Sequence, residues 1–227
     1  MRYKRITTVV ATALGASAVA AAMTMSSASA ASGTTSFETI AGNAYNLSAS
    51  GLVNVKPIAS ASCVYLAGPT ATKYTLTVPG IGTLSVLKDE CFVSPFDLSA
   101  DIVSDVARAN LLGGKIVLTG IHSECSSDAD GNTTFDSSVG SLNGVPLSKG
   151  THTITIPGVA TVIIDNNAER FGADALSPYD ITVASDAVTV KVLPHTVMVL
   201  GKPVTVAGQT IILGHCDLSG YQFGNDG

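Results

Sequence analysis

Hydrophobic and polar residues alternate along most of this chain with a period of two, and glycine, proline and asparagine break the alternation at short intervals. A period of two sends successive side chains to opposite faces of an extended backbone, so the pattern predicts strands. The clearest unit occurs twice. Tyr74-Thr75-Leu76-Thr77-Val78-Pro79-Gly80-Ile81 resumes as Gly82–Leu87, and His152-Thr153-Ile154-Thr155-Ile156-Pro157-Gly158-Val159 resumes as Ala160–Asp165. Proline fixes φ and the following glycine accepts φ > 0, which suits a type II turn. Such a turn twists the wrong way for a tight two-residue hairpin, so each Pro-Gly is expected at a corner between sheets or in a wider loop.

Further strands are expected over Ala44–Val55, which Pro57 would end, and over Ser60–Val64. Asp101–Asn110 fits either a short helix stopped at Gly113-Gly114 or a twisted strand with its polar positions outward; the β character of its surroundings favours the strand. Lys115–Ile121 carries apolar residues of both parities and should lie inside a sheet. Asn143-Gly144, between Leu142 and Val145, is the strongest hairpin signal. Tyr179–Leu193 places Val188, Val190 and Val192 inward and Thr189 and Lys191 outward. Val199–Val204 repeats the spacing of Leu142–Leu147, and Gln209–Cys216 closes the domain. About ten short strands, with at most one or two short helices, predict an all-β fold, a β-sandwich or partly closed barrel, over residues 42–217. A flexible segment, 31–41, would precede it and a polar tail, 218–227, follow it.

The first thirty residues follow a different logic. Arg2, Lys4 and Arg5 precede an apolar run from Ile6 to about Met25, and Ala28 and Ala30 supply small residues before Ala31. This is the pattern of a signal peptide cut between Ala30 and Ala31; an uncleaved anchor is the competing reading. With no twin arginine, the general secretory route is the simpler expectation. Removing residues 1–30 takes away three basic residues and no acidic ones, leaving nine basic against 17 acidic side chains and a net charge of −8. Nucleic acid and anionic membrane surfaces need a basic footprint, so neither is an expected partner. No later apolar run reaches membrane-spanning length, so no transmembrane anchor is expected after cleavage. Leu193-Pro194-His195-Thr196 lacks the glycine, hydrophobic tail and basic end of a sortase signal and reads as a strand end.

Four cysteines follow the leader: Cys63, Cys91, Cys125 and Cys216. An even number in an exported chain implies disulfides, with three possible connectivities. The favoured pairing is Cys63–Cys91, stapling neighbouring strands around one Pro-Gly unit, with Cys125–Cys216 tying the last strand to a central one. The competing use is zinc, through His122, Cys125, His215 and Cys216, but the spacings match no zinc module. Asp128-Ala129-Asp130-Gly131-Asn132-Thr133-Thr134 has the oxygen-rich look of a calcium loop, yet lacks the acids at both ends of the EF-hand pattern and reads as a solvated turn. No cofactor and no metal are therefore expected.

A hydrolase would need a nucleophile elbow or a free cysteine, and after the leader the chain has neither a Gly-x-Ser-x-Gly nor a cysteine outside the expected bridges. His122, His152, His195 and His215 are expected at the surface or at strand ends, and Asp89 and Glu90, adjacent on a strand, must face opposite ways. The expectation is a protein without catalytic residues.

The order of motifs carries one resemblance. Ala44-Tyr45, Gly51–Pro57, Ser62-Cys63, Ala109–Gly114, Ser123-Glu124-Cys125, Leu142–Leu147, Ile154–Val162 and Gly214-His215-Cys216 together resemble the choice-of-anchor P family of exported actinobacterial proteins, over about Gly42 to Cys216. The resemblance implies an extracellular domain with or without a C-terminal anchor and no known catalytic residue. The chain departs from the anchored members by showing no anchor. The expected function is a secreted, non-catalytic extracellular or cell-envelope-associated domain of structural or binding type, whose partner would be an envelope component or an extracellular protein. A ligand-binding or inhibitor module using the loops at Asp128–Thr134 and Asn166–Ser177, or an unrecognised secreted hydrolase, are the alternatives.

Overall fold

Strands of twelve residues, longer than the short ones expected, set the dimensions of this fold. The computed structural model describes residues 40–64, 70–94, 99–128, 132–171, 181–199 and 202–220, all within the unit Phe37–Gly227. The expected leader and its expected cleavage site at Ala30 and Ala31, residues 129–131 and 172–180, and the tail beyond Gly220 lie outside the described residues. Among the described residues fifteen strands follow one another: β1 (Ile40–Gly51), β2 (Val55–Val64), β3 (Ala71–Val78), β4 (Gly82–Val93), β5 (Ala100–Leu111), β6 (Ile116–Ser127), β7 (Thr133–Leu142), β8 (Val145–Pro146), β9 (His152–Ile156), β10 (Ala160–Ile164), β11 (Ala168–Phe171), β12 (Ile181–Val192), β13 (His195–Val199), β14 (Lys202–Val206) and β15 (Gln209–Gly220). The only helical element among the described residues is a 3-10 turn, Leu112–Gly114.

The first sheet has the order β2-β1-β15-β12-β10-β9 and the second β11-β7-β6-β5-β4-β3, with β8 added to β7; β13 and β14 form a separate hairpin. Every pairing is antiparallel. The two large sheets pack face to face as an all-β sandwich. Both keep free edges, β2 and β9 in one and β3 and β11 in the other, so the barrel alternative falls. Asp101–Asn110 is strand throughout, inside β5, and β6 is interior as expected. The paired strands reach past the expected limits of 42–217, to Ile40 and Gly220.

Of the two placements expected for the Pro-Gly units, the wider loop holds and the corner does not: each is a hairpin within one sheet. Val78 pairs with Gly82 and Ile156 with Ala160, leaving three-residue loops. Ile81 N donates to Val78 O and Val159 N to Ile156 O, while Gly80 and Gly158 take φ of 81° and 68°, as the third position of a type II turn requires. The extra residue absorbs the twist that would splay a two-residue version. Pro57 does not end a strand either. The break falls at 52–54, and Pro57 lies in β2, an edge strand where a missing N–H is tolerated.

Asn143-Gly144 forms the two-residue hairpin its composition predicts. Leu142 pairs with Val145, and φ is 51° at Asn143 and 79° at Gly144, the two positive values of a type I′ turn. A Cβ on Gly144 would meet nothing within 4 Å, so the cost of Gly144→Ala should come only from holding an L side chain at a φ of 79°. We expect a cost of about 1 kcal/mol in urea unfolding, with an unchanged m-value.

At one level in each sheet the ladder skips a position in strand after strand. In the second sheet the skipped residues are Tyr74, Val86, Ala107, Gly120 and Gly140. In the first they are Ala59, Asn46, Gly214 and Ala187. Alternate strands turn through positive φ there, at Ala59 (51°), Gly214 (62°), Val86 (49°) and Gly120 (60°). Each skip moves the buried positions to the other parity. Leu84 and Leu87, Val106 and Ala109, Leu118 and Ile121, and Val139 and Leu142 are therefore buried three residues apart rather than two or four.

The core lies between the sheets in two apolar clusters. One gathers Leu47, Leu84, Leu87, Leu111, Ile116, Leu118, Val190 and Leu213 with their neighbours; the other holds Ile40, Ala44, Ile102, Leu218 and all four cysteines. What separates them is polar.

Candidate functional site

A row of buried polar side chains crosses the inner face of the second sheet. Asp89, Ser104, Ser123 and Ser137 stand opposite one another in register on β4, β5, β6 and β7, each at most 1% exposed. Parity explains the row. Leu87 and Cys91 are buried on either side of Asp89, Ile102 and Val106 flank Ser104, and Ile121 and Cys125 flank Ser123. Asn46, at the skipped position of β1, projects into this row from the first sheet and is fully buried. Its Nδ2 donates to Asp89 Oδ1 (2.6 Å) and Ser104 Oγ (2.8 Å), and Ser104 Oγ donates to Tyr45 O (3.0 Å). Asn46 Oδ1, Asp89 Oδ2 and Ser185 Oγ, all buried, have no hydrogen-bond partner. Burial drives the Asp89 carboxyl up to about 8, the Asp105 charge adds to the rise, and the Ser104 hydroxyl opposes it. Glu90, as expected, faces the other way and pairs with Lys88 (2.7 Å).

Beyond the row lie the disulfides. Cys63 is bonded to Cys91 and Cys125 to Cys216, with Cα separations of 5.6 and 5.7 Å. The pairs are those favoured above, but the reason given for the first is wrong. Cys63 on β2 and Cys91 on β4 belong to different sheets, so this bridge crosses the sandwich and does not staple neighbours within a sheet. The second joins β6, inside one sheet, to β15, inside the other.

Two of the four histidines depart from the simple surface role expected of them. His122 and His215 sit mid-strand on the outer faces of the two sheets in one common arrangement. Each has an aspartate directly opposite on the next strand and an acid two residues along its own. His122 Nδ1 lies 2.8 Å from Asp105 Oδ1, and its Nε2 is 3.5 Å from Glu124 Oε2. His215 Nδ1 lies 2.6 Å from Asp186 Oδ1 and its Nε2 3.0 Å from Asp217 Oδ2, with the Tyr45 ring stacked on it at 4.3 Å. Burial pulls the His215 imidazole down, but hydrogen bonds to Asp186 and Asp217 and their charges outweigh it and hold it at about 9. The bond to Asp105 raises His122 against the same burial. The His215 ring is therefore imidazolium near neutral pH, with both nitrogens donating and no lone pair with which to accept a proton, and the His122 ring is shifted in the same direction. His195 is exposed, and His152, at the start of edge strand β9, bonds Ser148 O through Nε2 (2.8 Å).

The proposed zinc set does not converge. His215 and Cys216 are adjacent on a strand and His122 and Cys125 three apart, so the rings point outward from opposite sheets while the sulfurs meet between them, oxidised. Among the described residues no group of three or more metal-binding side chains gathers. At the ends of the calcium-like stretch, Asp128 accepts from the backbone N–H of Asn132 (2.9 Å) and from its side-chain amide.

No family model, no curated protein and no solved structure matches this chain. Among the described residues no helix is long and apolar enough to cross a membrane; this and the two bridges are compatible with an extracellular protein.

The common histidine arrangement was half visible in the chain. His122-x-Glu124 and His215-x-Asp217 are i, i+2 pairs, which share a face on any strand, whereas Asp105 and Asp186 depend on register. The raised pKa also fixes a sign. An imidazolium favoured in the fold contributes its full stability below about pH 6.5, and that contribution is lost as pH rises through about 9. His215→Gln should therefore cost about 2–3 kcal/mol at pH 6, and the deficit should shrink towards zero by pH 10 in thermal unfolding. A deficit that does not change with pH would show that the ring acts by packing on Tyr45 alone.

Proposed function

We propose that this chain is an exported, non-catalytic β-sandwich of structural or binding type, working outside the cell or at the cell envelope, and that it belongs with the choice-of-anchor P family. The observation that carries the reading is the pair of disulfides between the sheets. A core built around two oxidised bridges suits an oxidising compartment, and the leader-like first thirty residues supply the route there. The histidine geometry supports a non-catalytic role, since His215 is held as a cation between two carboxylates and His122 is shifted the same way by Asp105. The partner is an envelope component or extracellular protein and not nucleic acid, in keeping with the acidic balance.

Fractionation of the producing cells, with intact mass under non-reducing conditions, tests this. The expected product begins at Ala31, lies outside the cytoplasm and is four hydrogen atoms lighter than its reduced form. A cytoplasmic protein with its leader intact and free thiols would defeat the proposal. One observation favours a ligand-binding module as the second reading: a shallow depression on the outer face of the second sheet, lined by Val86, Lys88, Asp105, Ala107, Gly120 and His122. A screen of glycans and peptides in which nothing perturbs the His122 ring signals by NMR would remove that support.

A further inference from the structure

Asn46 and Asp89 present a hydrogen-bonding problem that one proton solves. The two side chains face each other across the sandwich, one from each sheet, and both are fully buried. One contact, Asn46 Nδ2 donating to Asp89 Oδ1, is made at 2.6 Å. The other atom of each group, Asn46 Oδ1 and Asp89 Oδ2, is buried with no partner. Both are acceptors if Asp89 is ionised. Leaving two buried acceptors unsatisfied forfeits the hydration of each without return, and burying an unpaired carboxylate is costlier still.

We propose that Asp89 is carried in the fold as the neutral acid, with Oδ2–H donating to Asn46 Oδ1, so that acid and amide close a two-bond ring that joins the sheets and makes the sandwich proton-dependent. The proton comes from solvent during folding and leaves to solvent on ionisation. Asp89 is then an acceptor through Oδ1 and a donor through Oδ2, matching the amide on both sides, while the second N–H of Asn46 serves Ser104 Oγ. Losing the proton turns one of the two bonds into a contact between acceptors in the middle of the core.

The surroundings supply no substitute charge. Asp89 is the only ionisable side chain buried between the sheets among the described residues. Facing it are Asn46 from β1 and Ser104 from β5. Its charged neighbours Lys88 and Glu90 on β4 and Asp105 on β5 belong to the outer face, where Asp105 is committed to His122, and the Tyr45–His215 stack lies outside the first sheet. The Asp105 carboxylate disfavours a second negative charge nearby, in line with the elevated Asp89 carboxyl.

The sign follows. A carboxyl whose folded value is raised contributes stability that is complete below its unfolded value near 4 and is lost as pH rises through about 8. Between pH 5 and 9 the folding equilibrium constant should fall by roughly two to three orders of magnitude from this group alone. His122 and His215 titrate in the same direction, so the test is a difference. Equilibrium unfolding of the unaltered protein and of Asp89→Asn is measured from pH 5 to 9. The substitution keeps the ring through amide–amide pairing but removes the titration, so the variant should match the protein at pH 5 and exceed it tenfold or more in folding constant at pH 9. Equal pH dependence in the two, or a deficit in the variant that grows with pH, would overturn the proposal. Infrared spectroscopy of the unaltered protein at pH 6.5 keeps the question decidable if the variant does not fold. A neutral carboxylic acid C=O band is expected there, where exposed carboxyls are ionised, and its absence would equally overturn the proposal.

Discussion

Replacing Cys125 and Cys216 together by alanine is expected to lower stability by about 4–5 kcal/mol, and replacing Cys63 and Cys91 by about 3–4. The order follows from chain topology. The Cys125–Cys216 bridge closes a separation of 91 residues and the Cys63–Cys91 bridge one of 28, and the longer closure removes more freedom from the unfolded chain. For a domain of this size the larger loss lowers Tm by about 10–15 °C. Position adds to the ranking. Cys125 and Cys216 join strands interior to their sheets, whereas Cys63 lies on the edge strand β2, which can fray without opening the core. Differential scanning calorimetry of the two double variants checks both size and order. Equal losses, or a larger loss from the Cys63 and Cys91 pair, would show that the unfolded chain is not what these bridges restrain.

The same comparison bears on how the two sheets are held. On one side of the polar row the interface is aliphatic and needs no covalent help, with Leu47, Leu84, Leu87, Leu111, Ile116, Leu118 and Leu213 all buried. On the other side the side chains are smaller, and four of the buried residues are the bonded cysteines. Apolar area scales with side-chain size, so the smaller cluster supplies less hydrophobic stabilisation and the bridges supply the remainder. Reduction should therefore loosen the end of the sandwich that carries Ile40, Ile102 and Leu218 before the end that carries Leu111 and Ile116. Hydrogen exchange on the reduced protein should show the loss of protection in that order.

Much of this was legible in the residues, and what was not has a physical cause. Asn143-Gly144 specified its turn because only residues tolerant of positive φ satisfy a type I′ geometry at both positions. Val188 and Val190 fell inward by parity alone. The helical alternative for Asp101–Asn110 arose from the skip in the ladder. Ile102, Val106 and Ala109 are spaced four and three apart, which is helical spacing, yet each is buried in β5 because the skip at Ala107 changes its parity. No single strand reveals such a skip, since it is a property of neighbours in register. The buried Asp89 was within reach. It shares parity with Leu87, Cys91 and Val93, so a strand that buries Cys91 must also turn Asp89 inward. Its partner was masked, because Asn46 shares the parity of Ala44 but stands next to Leu47, and only the skip on β1 lets both be buried.

Gly42→Ala is the other substitution expected to be severe, at about 3–4 kcal/mol, although it adds one methyl group to an extended backbone. Conformation is not the reason. Gly42 is buried on β1 opposite Cys63, and a Cβ there would sit against Ile102, with Cδ1 2.7 Å away and Cγ1 closer still, and 3.1 Å from Cys91 Sγ. Ile102 cannot retreat easily, being fully buried between Cys91 and Cys125 in register, each tied by its bridge to the opposite sheet. Overpacking at a rigid site forces backbone movement, which is why the expected cost exceeds that of an ordinary added methylene. The cause can be isolated by a double-mutant cycle with Ile102→Ala. Alone, that truncation should cost about 3 kcal/mol through the cavity it leaves. Combined with Gly42→Ala it makes room for the new methyl group, so the double variant should be more stable than the sum of the two losses predicts, by about 2 kcal/mol. Additive losses would mean that the absent side chain at Gly42 serves the backbone of β1 and not the close approach of the two sheets beside the disulfides.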